Sequence, residues 1–460
     1  MSFEFIETEL GNFVEIVTKK CDASIIDVTN YISTENMLPD RQGVTISSGI
    51  PDVNKFNSFE IGDTLFSNIR TYFKKVWFAT FYGGVSPDVL VFRTTHEKLT
   101  SEYLHLILSS DDFINYSHLT SKGAKMPRGD KGAMLSYKIK IPSLKYQKRC
   151  TKLIFTLSKK IDSNNRINQT LEQMAQALFK SWFVDFEPVK AKMAALEAGG
   201  SQEGATLAAM TAISGKEADA LVVFEREHPE KYAELKATAE LFPSAMQESE
   251  LGEIPEGWLV KPLGDSLEIK RGGSPRPIKD FIRPTGYPWV KIADATASTS
   301  PFLFKTSEFI KEEGLKKTVY LRKGDLILSN SATPGLPKFL QLDACIHDGW
   351  LYFPKISNYT DTYLYFLFLK IRRELVAKGN GSVFTNLKTD ILREHLAVLP
   401  EYKIVNRFSV LALSYLDAIK ANELTINSLS CLRDTLLPKL LSGEITLPEA
   451  EQVVSEAENV

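Results

Sequence analysis

Two long stretches of the chain carry apolar side chains at alternating spacings of three and four. The first runs through Leu153, Leu157, Ile161, Leu171, Met174 and Leu178, with Asn164 and Asn168 inside the stripe. The second runs through Leu411, Tyr415, Ile419, Ile426, Leu429, Leu432 and Leu436, with Asn422 inside it. Such a spacing keeps one face of a helix apolar, so each stretch predicts a long helix, and together they predict a coiled-coil pair. Asn164 and Asn422 occupy equivalent places. They read either as a buried pair that fixes register or as two partly exposed helix residues. From Tyr402 to Leu441 the second pattern covers 40 residues, roughly 60 Å at about 1.5 Å per residue.

Elsewhere the apolar runs are short and rich in β-branched and aromatic residues, bounded by Gly, Pro, Asn and Asp. They predict strands at Phe13–Val17, Trp77–Phe81, Val89–Phe92, Trp289–Ile292, Val319–Leu321, Leu326–Leu328 and Trp350–Phe353. Helical runs follow at Ser101–Ser109 and Thr360–Ala377. These patterns describe mixed α/β (α+β) lobes.

The chain also repeats itself. Leu10-Gly-Asn-Phe-Val-Glu-Ile16 returns as Leu263-Gly-Asp-Ser-Leu-Glu-Ile269, and Tyr31–Asn36 lines up with Trp289–Asp294. Gly62-Asp-Thr-Leu-Phe-Ser-Asn68 returns as Gly324-Asp-Leu-Ile-Leu-Ser-Asn330, and Ile141-Pro142 as Leu399-Pro400. The offsets are 253, 258, 262 and 258, so order is kept with small insertions. The expected organisation is a first lobe (1–145), a first spacer helix (146–188), an acidic helical insertion or linker (189–250), a second lobe (251–400), a second spacer helix (401–443) and an acidic tail (444–460). The fold expected is two similar lobes separated by a pair of long antiparallel helices, with pseudo-two-fold internal symmetry. A reader of this kind suits two half-sites on a duplex. The insertion shows helical stretches at Lys192–Ala198, Lys216–Arg226 and Pro229–Thr238, broken at Gly199-Gly200 and Gly204.

Charge changes the picture locally. The formal net charge is −2, yet His118–Arg149 holds nine Lys/Arg against one acid, and Gly257–Pro400 holds 21 against 14. A phosphate track responds to such patches rather than to the sum. The four cysteines (Cys21, Cys150, Cys345 and Cys431) form no CxxC pair, so neither zinc site nor disulfide framework is expected. No leader is read at Met1–Phe5, and the apolar run Tyr363–Leu369 is far too short for a membrane span, so a cytoplasmic protein is expected. There is no Asn/Asp-Pro-Pro-Tyr/Phe string, phosphate-binding Walker loop or HExxH, and the six histidines are dispersed. No catalytic residue or metal ligand is assigned.

Base reading requires forked or bifunctional side chains, and phosphate contacts require cations beside exposed backbone N–H groups. In the first lobe the candidates are Ser33, Thr34 and Asn36; Ser67, Asn68 and Arg70; and Lys122, Lys125, Arg128 and Lys131. In the second they are Lys270, Arg271, Ser274 and Arg276; Lys291 and Asp294; Ser329, Asn330 and Ser331; and Lys378, Asn380, Ser382 and Asn386. Each set also fits a polar surface turn. The sets recur at equivalent places in both halves.

Three further strings carry a family resemblance: Leu178-Phe-Lys-Ser-Trp-Phe-Val-Asp-Phe-Glu-Pro188, Leu436-Leu-Pro-Lys-Leu-Leu-Ser-Gly-Glu-Ile445 and Leu251-Gly-Glu-Ile-Pro-Glu-Gly-Trp258. With them the chain resembles, over nearly its whole length, the specificity subunit of type I restriction–modification enzymes. The resemblance implies two target-recognition domains, each reading one half of a split sequence, and paired helices that set the gap. It implies two modification subunits that methylate adenine N6 with S-adenosylmethionine, and a restriction subunit that joins some assemblies. No cofactor is expected in this chain. Leu178, Phe179, Trp182, Phe183 and Phe186 are read as packing partly on Leu436, Leu437, Leu440 and Leu441, the remainder forming a docking surface. A two-lobed scaffold that recognises protein rather than DNA is the alternative.

Overall fold

A computed structural model describes residues 5–123, 127–379 and 386–458. The chain divides into two compact units, one of residues 1–165 and 424–460, the other of residues 166–423. Each unit therefore contains one lobe together with parts of both long helices.

The first unit holds two four-stranded sheets. One has the order Val14–Ile16, Val89–Thr94, Thr64–Ser67, Val76–Phe78, all antiparallel. The other runs Lys20–Asp22, Lys55–Phe59, Gly83–Val85, Tyr31–Ile32, and its last pair is parallel. Ile32, Phe59, Leu65, Val85, Val89 and Val91 form one core. Phe66, Phe92, Leu104, Ile107 and Phe113 form another under the helices Ser101–Ser109 and Asp111–Leu119. Those helices start where the sequence supplies caps: Thr100 accepts from the Tyr103 N–H and Ser110 from the Phe113 N–H.

The second unit repeats this plan with two five-stranded sheets. Leu267–Arg271, Trp350–Ile356, Leu326–Ser329 and Pro337–Leu340 stand in the order of their first-lobe counterparts, with Phe302–Leu303 added at the edge. The parallel pair also recurs, Trp289 and Val290 beside Cys345 and Ile346. The duplication reaches individual hydrogen bonds. Gly62 N donates to Ala79 O at 2.9 Å and Gly324 N to Leu340 O at 2.8 Å. Both glycines have positive φ, 92° and 102°, which explains why the Gly-Asp dipeptide is kept in each copy.

Two helices run through Leu144–Phe183 and Tyr402–Ser442. In the first unit the Tyr146 hydroxyl donates to Leu440 O, and Leu157 and Ile161 pack on Leu429. In the second unit Asn422 Nδ2 donates to Asn168 Oδ1 at 2.9 Å, and Phe179 packs against Phe408. The pairing is antiparallel in both. The buried asparagine is Asn168, which is 8% exposed; Asn164 is only half-buried.

The same geometry corrects one expectation. In an antiparallel pair the end of one helix meets the start of the other, so Phe179, Trp182, Phe183 and Phe186 do not pack on Leu436, Leu437 and Leu440. The aromatics lie in the core of the second unit with Trp258, Tyr363 and Phe408. The leucines lie in the core of the first unit with Leu10, Tyr146 and Ile154. All four aromatics are buried, and so are these three leucines; Leu178 and Leu441 are half-buried.

The insertion is helical in four pieces: Glu187–Glu197, Gln202–Ser214, Ala218–Glu227 and Pro229–Glu240. Gly204 does not break it, because its N–H is taken by the Ser201 cap in the first turn. Arg407 fastens the insertion to the second long helix through Thr238 and Glu234. The chain end is not a loose tail: Leu447–Glu458 is a helix whose Leu447 and Ala450 enter the core of the first unit.

Two buried charges generate predictions. Arg93 makes a two-point bond with Asp63, both contacts at 2.7 Å, and Asp63 is 2% exposed. Asp63→Ala removes both bonds and leaves Arg93 its 3.3 Å contact with Glu60, with an expected cost of about 1.5–3 kcal/mol in the unfolding transition of the first unit, read by denaturant titration. In the second unit Lys338 is buried, and burial lowers its pKa to about 8 against the attraction of Glu172 and Glu423. The unfolded chain then binds a proton between about 8 and 10.5 that the folded chain does not. Stability contributed by this group rises with pH across that window. Unfolding measured from pH 8 to 10.5 is expected to show this rise in the wild type and to lose it in Lys338→Met.

Candidate nucleic-acid interface

In the second lobe the loop after strand Leu267–Arg271 folds back on residues 347–349. Gly272 N donates to Trp350 O, and an added Cβ at Gly272 would stand 2.2 Å from His347 O. Only glycine permits that approach. Asp348 then gathers the basic loop. Ser274 Oγ donates to its carboxylate at 2.6 Å, Arg276 lies at 3.5 Å and Arg271 at 3.9 Å. The Ser274 hydroxyl first, with Arg271 nearby, holds the Asp348 carboxyl below the usual range despite partial burial. Burial lowers the His347 pKa, favouring the neutral ring.

Asn330 joins this loop to the next. Its N–H donates to Gly349 O at 2.8 Å, its Nδ2 to Asp348 O at 3.1 Å, and its carbonyl accepts from Leu387 N at 2.7 Å. Ser329 is buried and its oxygen accepts from Leu336 N. Ser331 is half-exposed beside them, and Lys378 and Asn386 are exposed. Lys270 and Lys291 pair with carboxylates of their own sheets, Glu268 at 2.8 Å and Glu308 at 2.7 Å.

The first lobe uses the same scheme. Asn68 N donates to Asp88 O at 2.8 Å, and Asn68 O accepts from Gly129 N at 3.2 Å. Arg128 pairs with Asp88 at 2.8 Å, Lys122 contacts Asp130, and Arg70 N donates to Pro127 O. The Arg70 and Lys131 side chains are exposed. Ser67 N donates to Lys75 O, and Lys75 Nζ reaches Thr34 O at 2.6 Å, so this lysine links two candidate loops. Ser33 N donates to Asn36 Oδ1 as Lys291 N donates to Asp294 Oδ2.

Structure thus sorts the candidates. Arg70, Lys122, Arg128, Ser274, Arg276, Ser331 and Asn386 stand on loops, while Arg271 ends a strand and Lys131 and Lys378 belong to helices. Asn36, Ser67, Asn68, Ser329 and Asn330 are buried and Asp294 caps a short helix, so these six shape the loops instead. Lys125, Asn380 and Ser382 lie outside the described residues. Sequence reading missed Asp88, Asp348, His347 and Lys75. The available signal, at Asp348, is an acid just after a strand in an otherwise basic lobe.

Residues 4–173 and 255–427 match the family model described as type I restriction modification DNA specificity domain, more than half of the chain. The chain belongs to this family. It is 29% identical over 467 aligned positions to the HindI specificity subunit of Haemophilus influenzae, covering 95% of this chain and 99% of that protein. Against the MjaIX specificity subunit of Methanocaldococcus jannaschii the figures are 23%, 76% and 70%. The solved S subunit from M. genitalium shares the fold, with a TM-score of 0.50 at 12% identity over 95% of this chain and 96% of that one. As in a specificity subunit of duplicated design, the family match falls once on each half of this chain. Among the described residues no helix is long and apolar enough to cross a membrane, and no group of three or more His, Cys, Asp and Glu is placed to hold a metal ion.

Arg276 is 81% exposed and Asp348 holds it only loosely. Arg276→Ala is expected to weaken DNA binding evenly across sequences and to reduce the slope of log affinity against log salt by about 0.9. A slope equal to the wild type's, from titrations at several salt concentrations, removes Arg276 from the phosphate contacts.

Proposed function

We propose that this chain is the DNA-reading subunit of a type I restriction–modification enzyme and that each lobe reads one half of a bipartite target. The observation that carries this reading is the duplicated loop frame. Asn68 and Asn330 bind their neighbouring loops through the same main-chain atoms, and exposed cations crown each frame. Two equivalent frames on one chain suit two half-sites, and in this reading the long antiparallel helices set the gap.

In this reading the chain performs no chemistry. Two modification subunits bring S-adenosylmethionine and transfer its methyl group to adenine N6, and restriction subunits join in assemblies that also cut. The partner surface is not the aromatic cluster, whose members are buried. In the second unit the outer faces of the long helices keep Ile167, Met174, Val410 and Leu413 exposed. Apolar side chains in those positions suit partner helices laid alongside.

The test is modified-base sequencing of DNA from cells that carry the modification subunits with and without this chain. N6-methyladenine at one split sequence, present only with this chain, is the expected result. Assembled, soluble subunits that leave no such mark would reject DNA reading and favour a protein scaffold.

A further inference from the structure

Asn68 and Asn330 share one unusual property. Both are more than nine-tenths buried, at 7% and 3% exposure, and in both the side-chain Oδ1 has no hydrogen-bond partner. A buried acceptor left unpaired is costly, and native chains keep few of them. Here the same atom is left unpaired at the same place in both copies of the repeat.

Their surroundings correspond as well. Each asparagine ends a central strand, Thr64–Ser67 or Leu326–Ser329. Each donates its N–H to the loop leaving the parallel pair, at Asp88 O or Gly349 O. Each offers its carbonyl to the loop before a short helix, at Gly129 N or Leu387 N. The Asn68 oxygen is enclosed so closely that a Cβ on Gly129 would stand 2.8 Å from it. The main-chain bonds are available to any residue type. Only the amide side chain adds the free acceptor and, at Asn330, the Nδ2 bond to Asp348 O; the neighbouring loops carry Arg128 on one lobe and Asp348, with Ser274 and Arg276, on the other.

We propose that Asn68 and Asn330 are positioning residues, one per lobe, whose side chains tune base discrimination at their own half-site without touching DNA. The inference rests on the DNA-reading function proposed above. Each unpaired oxygen costs stability, so the asparagine is kept for the loops around it rather than for the stability of its lobe.

The experiment compares Asn68→Leu and Asn330→Leu, each assembled with the modification subunits, by modified-base sequencing and thermal unfolding. Leucine has nearly the shape of asparagine and removes the orphan acceptor, at position 330 together with the Nδ2 bond to Asp348 O. Asn68→Ser and Asn330→Ser serve as second variants that cannot overfill the site. Expected for the leucine pair is a melting temperature close to the wild type's. Discrimination is expected to fall roughly tenfold, the scale of one weakened base contact, at the first lobe's half-site for position 68 and at the second lobe's for position 330. The untouched half-site is the internal control. Equal loss at both half-sites, or unchanged discrimination in leucine and serine variants alike, overturns the inference. A wild-type assembly that marks no split sequence overturns the underlying DNA-reading function instead, so the two failures are distinct.

Discussion

The architecture depends on burial of each long helix's last turns in the core of one unit. Phe179, Trp182, Phe183 and Phe186 close the core of the unit that holds the second lobe, and Leu436, Leu437 and Leu440 close the core of the unit that holds the first. Burying a large apolar side chain is worth about 1.5–3 kcal/mol, so each end is a strong anchor. The polar contacts are specific supplements: Tyr146 on the Leu440 carbonyl, and Asn422 on Asn168.

On that support the lobes keep a common frame and vary its covering. The bonds that recur in both lobes, at Gly62 and Gly324 and at Asn68 and Asn330, are main-chain bonds. They do not care which side chains stand on the loops. Asp88 with Arg128 occupies one frame, and Asp348 with Arg271, Ser274 and Arg276 the other. A duplicated scaffold with different loop residues is how one chain can carry two different sequence preferences.

Much of this was legible in the sequence. The long helices follow from apolar spacings of three and four, the repeat from matching strings, and the strands at Val319–Leu321 and Val89–Thr94 from short runs rich in β-branched and aromatic residues. Short strands such as Gly83–Val85 and Tyr31–Ile32 were not legible, because two or three residues show no period and pair only through distant partners. The aromatic string at Phe179–Phe186 was recognised, but its contact was assigned to the wrong helix end. Sequence marks which residues are apolar and leaves open which of two similar cores they enter. In the interface, candidate loops were found by residue type. Sequence could not separate Asn36 and Asn68, which turn inward, from Arg70 and Arg128, which stay out, because that depends on backbone bonds made across the lobe.

One contact bears on how the chain is made. The hydroxyl of Tyr146 and the carbonyl of Leu440 are 294 residues apart in sequence. At about 5–20 residues per second, the first lobe leaves the ribosome on the order of 15–60 s before the segment that seals its core. During that interval the faces of Tyr146, Cys150 and Ile154 are without the leucines that later cover them. The earliest-made part of the protein is thus among the last to be completed.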